Sequence, residues 1–181
     1  MAGGQSFWGR WRVRTGYPIA AACLWLAAPT SRSIALGALV AAAGLVVRGA
    51  AAGYLRKHEA LAISGPYART RNPLYFGTVF LGIGFAIASW SYWAAALLVG
   101  YFLLFYPAVM KREERELHEH YGAAFEEYAA RVPLFWPRLS GATSTGEGFS
   151  WAIYRRNREY QALLGFLAGI ALLWLRMKMR G

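Results

Sequence analysis

From Pro73 to Met110 the chain runs for 38 residues without one charged side chain. As a single helix this stretch would reach about 57 Å, roughly twice the hydrocarbon thickness of a bilayer, so it predicts two short membrane spans joined by a tight hairpin. The tip of that hairpin is expected at Ser89-Trp90-Ser91-Tyr92-Trp93, where Trp and Tyr suit the membrane interface.

The rest of the chain agrees with a membrane setting. It is 57% hydrophobic and only 16% charged, which excludes an ordinary soluble domain. The net charge of +11 comes from basic residues flanking apolar runs, so a lipid bilayer is the expected partner and nucleic acid is not. Tyr17–Pro29 reads as a retained first helix, with Arg10, Arg12 and Arg14 before it and no cleavage site after it. Ser33–Tyr54 is a second apolar segment, rich in Ala and Gly and interrupted by Arg48, and Tyr160–Leu175 is a last one. Lys111–Tyr128 is expected as a polar helix, and residues 141–148 as a Gly/Ser/Thr loop.

The fold class expected is therefore an all-α membrane protein of about five transmembrane helices with a cytosolic C-terminal region that binds a cofactor. Residues 1–181 form a single membrane domain: an N-terminal helical hairpin over 17–54, a core over 55–138, and a linker with a C-terminal helix over 139–181. With the N-terminus in the cytosol, 16 of the 20 Lys and Arg residues lie on the cytosolic side, which predicts a multi-pass protein of the cell inner membrane. Arg176, Lys178 and Arg180 fall outside that pattern, so the last segment either crosses the bilayer or lies along its interface.

The densest local signal is Ser64–Gly77, S-G-P-Y-A-R-T-R-N-P-L-Y-F-G. Gly65-Pro66 marks a turn. Asn72 is a suitable N-cap and Pro73 a suitable first helical residue. A helix N-terminus attracts an anionic group, and Arg71 beside it can hold an oxyanion bidentately. Arg71 is thus the candidate catalytic residue, with Arg48 and Arg112 as further candidates for substrate contact. Downstream, helical periodicity puts Val109, Glu113, Leu117, His120, Tyr121, Ala124 and Tyr128 on one mostly apolar face, so Glu113 is expected to be a buried carboxylate in need of a cationic partner. Gly122 is the residue able to interrupt that face. His118 and His120 do not share a face, the lone Cys23 sits in an apolar run, and no metal is expected. The nine acids are all glutamates, so no Ser-His-Asp triad can be drawn, and neither a G-x-G-x-x-G nor a P-loop pattern occurs.

The Ser64–Gly77 motif, the uncharged double span, and the tail R-E-E-R-E-L-H-E-H-Y-G-A-A-F-E-E-Y-A-A-R-V-P-L-F-W-P together resemble the isoprenylcysteine carboxyl methyltransferase family of bacterial-type integral membrane enzymes. The resemblance covers about residues 48–137. It implies S-adenosylmethionine as cofactor, held at the cytosolic face by Glu59, Ala60, Leu61, Ala62, Tyr67, Asn72, Pro73, Leu74, Tyr75 and Glu113. It also implies methyl transfer, to a carboxylate or an amine, on a membrane lipid or lipidated small molecule. The sequence departs from the family at Asn72, where His is common, and at Val109, where an arginine meets the substrate; the second departure gives Arg71 its weight. Asn-Pro-x-Tyr also occurs in NADPH-dependent membrane reductases of the steroid-5α-reductase-like type, and a non-catalytic membrane protein keeping the fold is a third reading.

Overall fold

The computed structural model describes residues 7–56, 59–139 and 148–180. They form α1 (Phe7–Leu26), α2 (Ser31–Ala52), a 3-10 turn (Gly65–Ala68), α3 (Pro73–Ser89), α4 (Tyr92–Tyr121), α5 (Ala123–Arg131), α6 (Trp151–Arg156) and α7 (Tyr160–Arg180), with no strand among the described residues. The loop expected over 141–148 lies outside them, Gly148 excepted. Among the described residues three helices are long and apolar enough to cross a membrane: α2 with 22 residues, α4 with 30 and α7 with 21; α3 is apolar but shorter, at 17.

Why these segments pack is written in their small residues. The buried face of α2 is Ser33, Ile34, Gly37, Ala41, Gly44, Ala51 and Ala52, while Leu36, Leu39 and Val46 point outward. Large side chains outside and small ones inside is the arrangement of a helix solvated by lipid, where close backbone contact replaces hydrophobic collapse. A Cβ added at Gly37 would lie 2.3 Å from the Gly84 carbonyl oxygen, and one at Gly44 would lie 2.4 Å from that of Gly77, so α2 and α3 touch backbone to backbone. Thr30 and Ser33 form a capping box at the start of α2. Ser33 also donates to the Ala88 carbonyl across the seam at 3.1 Å.

The hairpin tip falls where expected. α3 stops at Ser89 and α4 starts at Tyr92, with Trp90 in the left-handed region at φ 49°. Three boundaries differ from expectation. α1 begins at Phe7, so Arg10, Arg12 and Arg14 are helical rather than preceding the helix; arginine is a good helix former, and apolar run length marks only the lipid-suited part. The polar helix expected from Lys111 is the continuation of α4, because nothing between Met110 and Lys111 breaks a helix. It ends at Gly122, whose φ of +51° favours glycine, and α5 turns away from there.

The ends of the bundle are distinct. At one end the α1–α2 corner meets the hairpin tip, with the Ala28 amide donating to the Ser89 carbonyl at 2.8 Å. The end of α7 arrives there too: Arg180 donates to the Ala27 carbonyl at 2.9 Å, and Arg176 donates to the Trp25 carbonyl. These guanidinium groups meet carbonyls at and just beyond the C-terminus of α1, where a cation is favoured. At the opposite end lie the end of α2, the 64–72 turn, the start of α3, α5 and α6.

Candidate functional site

The 64–72 turn is shaped locally by Gly65, which has φ +58° and lies under the Tyr54 ring, where a Cβ would come within 2.6 Å of it. Tyr67 follows, buried, and its carbonyl accepts a 2.7 Å hydrogen bond from the Tyr128 hydroxyl of α5. The stretch after α5 then runs beside the turn. The Arg71 amide donates to the Pro133 carbonyl at 2.9 Å and the Arg138 amide to the Arg69 carbonyl at 3.0 Å. Thr70 Oγ1 donates to the Phe135 carbonyl at 2.9 Å. Pro133 and Pro137 keep this stretch out of a helix, which leaves its carbonyls free to accept.

Asn72 occupies the N-cap position with Pro73 after it, as expected, but makes no capping bond. Its carboxamide nitrogen donates to the Leu134 carbonyl at 3.0 Å. Pro73 is fully buried, and Leu74 and Tyr75 are half-buried. The Tyr75 hydroxyl donates to Glu113, which joins the first turn of α3 to α4.

One expected position on α4 is corrected. Glu113 is exposed, not buried on an apolar face. Its neighbour Glu114 turns inward and lies 3.0 Å from Arg71 Nη1, with both side chains largely covered. Val109 and Met110 are both buried on α4, so Glu113 and Glu114, each one turn further on, both continue that face by periodicity; it is Glu114 that meets Arg71. Arg71 also lies over the Phe125 ring, 6.0 Å from its centre. With Nη1 on Glu114 Oε1, Arg71 Nε is buried without a hydrogen-bond partner among the described residues.

The two remaining arginines are engaged by protein groups. Arg112 pairs with Glu116 one turn along α4, at 2.5 Å, on an open surface. Arg48 binds the buried carboxylate of Glu159 at 2.6 Å. Of the loop residues, Glu59 pairs with Arg156 at 2.6 Å, and that guanidinium holds its carboxyl below the usual range. Leu61 packs on Phe125, Tyr128 and Val132, Ala62 is half-buried, and Ala60 is exposed. The turn thus brings Tyr67, Arg71, Asn72, Pro73, Leu74, Tyr75 and Glu113 to one end of the bundle, with Glu59 to Ala62 at its side.

Sequence reasoning missed Glu114, Tyr128 as a brace for the turn, and Glu159. The last carries a legible signal: it is the only acid after residue 147, set among Arg155, Arg156 and Arg158 at the start of an apolar helix.

Burial pushes both the Tyr67 and the Tyr128 phenols well above the ordinary tyrosine range, and for Tyr128 the Arg71 guanidinium pulls the other way. A raised folded-state pKa contributes stability that is complete below the unfolded value of about 10 and is lost as pH rises past it. Thermal melts between pH 9 and 11.5 are expected to show falling stability. Tyr128→Phe should flatten the decline by about 1.4 kcal/mol per pH unit; an unchanged slope would contradict the assignment.

Against known proteins, the phospholipid methyltransferase family matches residues 33–124, which span α2, the turn, α3, α4 and Glu113. The cobalt-zinc-cadmium resistance protein CzcN of Cupriavidus metallidurans is 41% identical over 85 residues, 47% of this chain and 39% of that protein. The nickel-cobalt-cadmium resistance protein NccN of Alcaligenes xylosoxydans xylosoxydans is 42% identical over 86 residues, with the same two shares of 47% and 39%. The chain thus spans about 39% of the length of these curated relatives. No solved structure matches.

Proposed function

The chain belongs to the phospholipid methyltransferase family, and from that premise we propose that it is an integral membrane methyltransferase using S-adenosylmethionine to methylate a lipidic or membrane-accessible acceptor. We place it as a five-span protein of the inner membrane with the 64–72 turn on the cytosolic face.

One observation carries the reading. Inside the family match, Arg71 Nε is a buried donor left without a hydrogen-bond partner among the described residues, beside the pair that Nη1 makes with Glu114 Oε1 at 3.0 Å. Such a group costs about 1–3 kcal/mol, so the turn is suited to a ligand with polar groups. The exposed Glu113, held by Tyr75, is a carboxylate for an ammonium, and the half-buried Leu61 and Leu74 offer apolar wall for an adenine. These residues fit the cofactor, with Glu59, Ala60, Ala62, Tyr67, Asn72, Pro73 and Tyr75 as further contacts.

When bound, the cofactor supplies an already activated methyl group on a sulfonium. The chain's own residues need only align an acceptor in line with it and keep water out. A carboxylate acceptor attacks without a base, and Arg71 would fix its second oxygen. An amine acceptor must lose a proton, and Glu113 is the carboxylate proposed to receive it. The metal-resistance names describe the relatives. Among the described residues no group of three or more His, Cys, Asp or Glu is placed to hold a metal ion.

Isothermal titration of the detergent-solubilised protein separates the readings. S-adenosylhomocysteine should bind, NADPH should not, and Glu113→Ala should weaken binding about tenfold or more while Glu116→Ala leaves it unchanged. Binding of NADPH alone points to a reductase, and binding of neither to a non-catalytic protein.

A further inference from the structure

We infer that Glu159 is a positioning residue of this site, acting through Arg48 on the first turn of α3. The inference rests on the methyltransferase reading, but Glu159 lies outside the family match, which ends at residue 124.

Arg48 sits one helical turn after Gly44. The close approach of Gly44 and Gly77 draws the α2 and α3 backbones together, and the Arg48 stem lies directly over Gly77, where a Cβ would come within 2.7 Å of its Cγ. The planar guanidinium then divides its donors. Nε and Nη2 bind the two oxygens of Glu159 at 2.6 and 3.0 Å. Nη1 donates to the Leu74 carbonyl at 3.4 Å and to Thr78 Oγ1. Leu74 lies between Pro73 and Tyr75, the residues that carry the turn into α3. The Glu159 carboxylate therefore fixes the one orientation of Arg48 in which its remaining nitrogen braces that turn. The buried Tyr67 phenol feels the charges of both partners together with that of Glu113.

The corner that carries Glu159 is tied to the same end of the bundle by its neighbours. Asn157 Nδ2 donates to the Ala52 carbonyl at 2.9 Å and the Leu55 carbonyl at 2.8 Å, closing the end of α2. Arg156 reaches Glu59 at 2.6 Å. The Ser150 amide donates to the Gly53 carbonyl at 3.1 Å. Between Asn157 and Glu159, Arg158 has φ 54°, a left-handed conformation that a non-glycine residue adopts at a cost. The contacts on either side hold that corner, and with it the side chain of Glu159. Bidentate pairing to a buried carboxylate is a property of arginine that lysine does not reproduce.

The test uses the full-length protein in detergent, with S-adenosylhomocysteine as probe. Glu159→Gln leaves Arg48 with a neutral partner and should weaken probe binding about tenfold or more. A second variant, Arg48→Met with Glu159→Leu, removes both charges, and such replacements of a buried pair usually keep the fold. It should melt at or above the parental temperature yet still bind the probe about tenfold more weakly, because Leu74 and Thr78 have lost their donor. Arg131→Ala, which removes an exposed pair with Glu127, serves as control and should bind as the parent does. Parental affinity in the folded double variant overturns the inference and leaves the methyltransferase reading standing. Loss of the fold in both variants also overturns it, since the pair is then structural. A parent that binds no probe overturns the methyltransferase reading and this inference with it.

Discussion

Replacing Gly44 by leucine is expected to leave no folded protein. A Cβ at that position lies 2.4 Å from the Gly77 carbonyl oxygen and 2.9 Å from the Leu81 nitrogen. These are backbone atoms of α3 and cannot rotate aside, so the two helices must separate. Overpacking that side chains can absorb costs about 1–3 kcal/mol. Separation also breaks the Ser33–Ala88 hydrogen bond and pulls Arg48 off Thr78 and Leu74, which removes much of a typical stability of about 5–15 kcal/mol. Gly100→Leu is the control, since nothing stands within 4 Å of a Cβ added there. Size-exclusion in detergent and thermal melting read both. A Gly44→Leu protein that elutes as one species and melts within a few degrees of the parent would contradict the packing account.

Arg71→Lys is expected to abolish turnover while leaving probe affinity and melting temperature near parental values. Arg71 lies against Glu114 and over the Phe125 ring, and a lysine ammonium can keep that pairing as a point charge. It cannot supply the planar second donor, Nε, which is buried and unsatisfied among the described residues. Losing one donor to an oxyanion costs roughly 100- to 1,000-fold in rate. Rates of labelled methyl transfer, with binding measured alongside, decide the matter. Parental turnover in the lysine variant removes Arg71 from the site and leaves it the role of a cation paired with Glu114.

How much of this was legible in the sequence depends on the range over which each feature is decided. The hairpin was legible because it is local: 38 uncharged residues must be cut once, and Ser89 to Trp93 is where Trp90 takes its left-handed turn. The Asn72-Pro73 helix start was legible for the same reason. The Asn72 side chain was not, because its acceptor, Leu134, lies 62 residues further on. Glu113 and Glu114 differ by one position on a helix, about 100° of rotation. Choosing between them needs the crossing of α4 with the turn, which no periodicity supplies. The role of Gly122 as a breaker was open in the sequence and is settled by its positive φ. The Arg48–Glu159 pair spans 111 residues, and its acid sits in a segment that carries no motif. Small residues announced a close helix contact for α2, but not that Gly77 and Gly84 of α3 would be the partners.

The central claim is methyl transfer into a membrane component. Its most direct test supplies S-adenosylmethionine, labelled in the methyl group, to membranes containing the parent protein or the Arg71→Lys variant, and counts label in the organic-solvent extract. The account predicts label that accumulates with time in the parent extract, is suppressed by S-adenosylhomocysteine, and stays at background with Arg71→Lys. Label at background in the parent extract, with the protein folded and the cofactor intact, would contradict it.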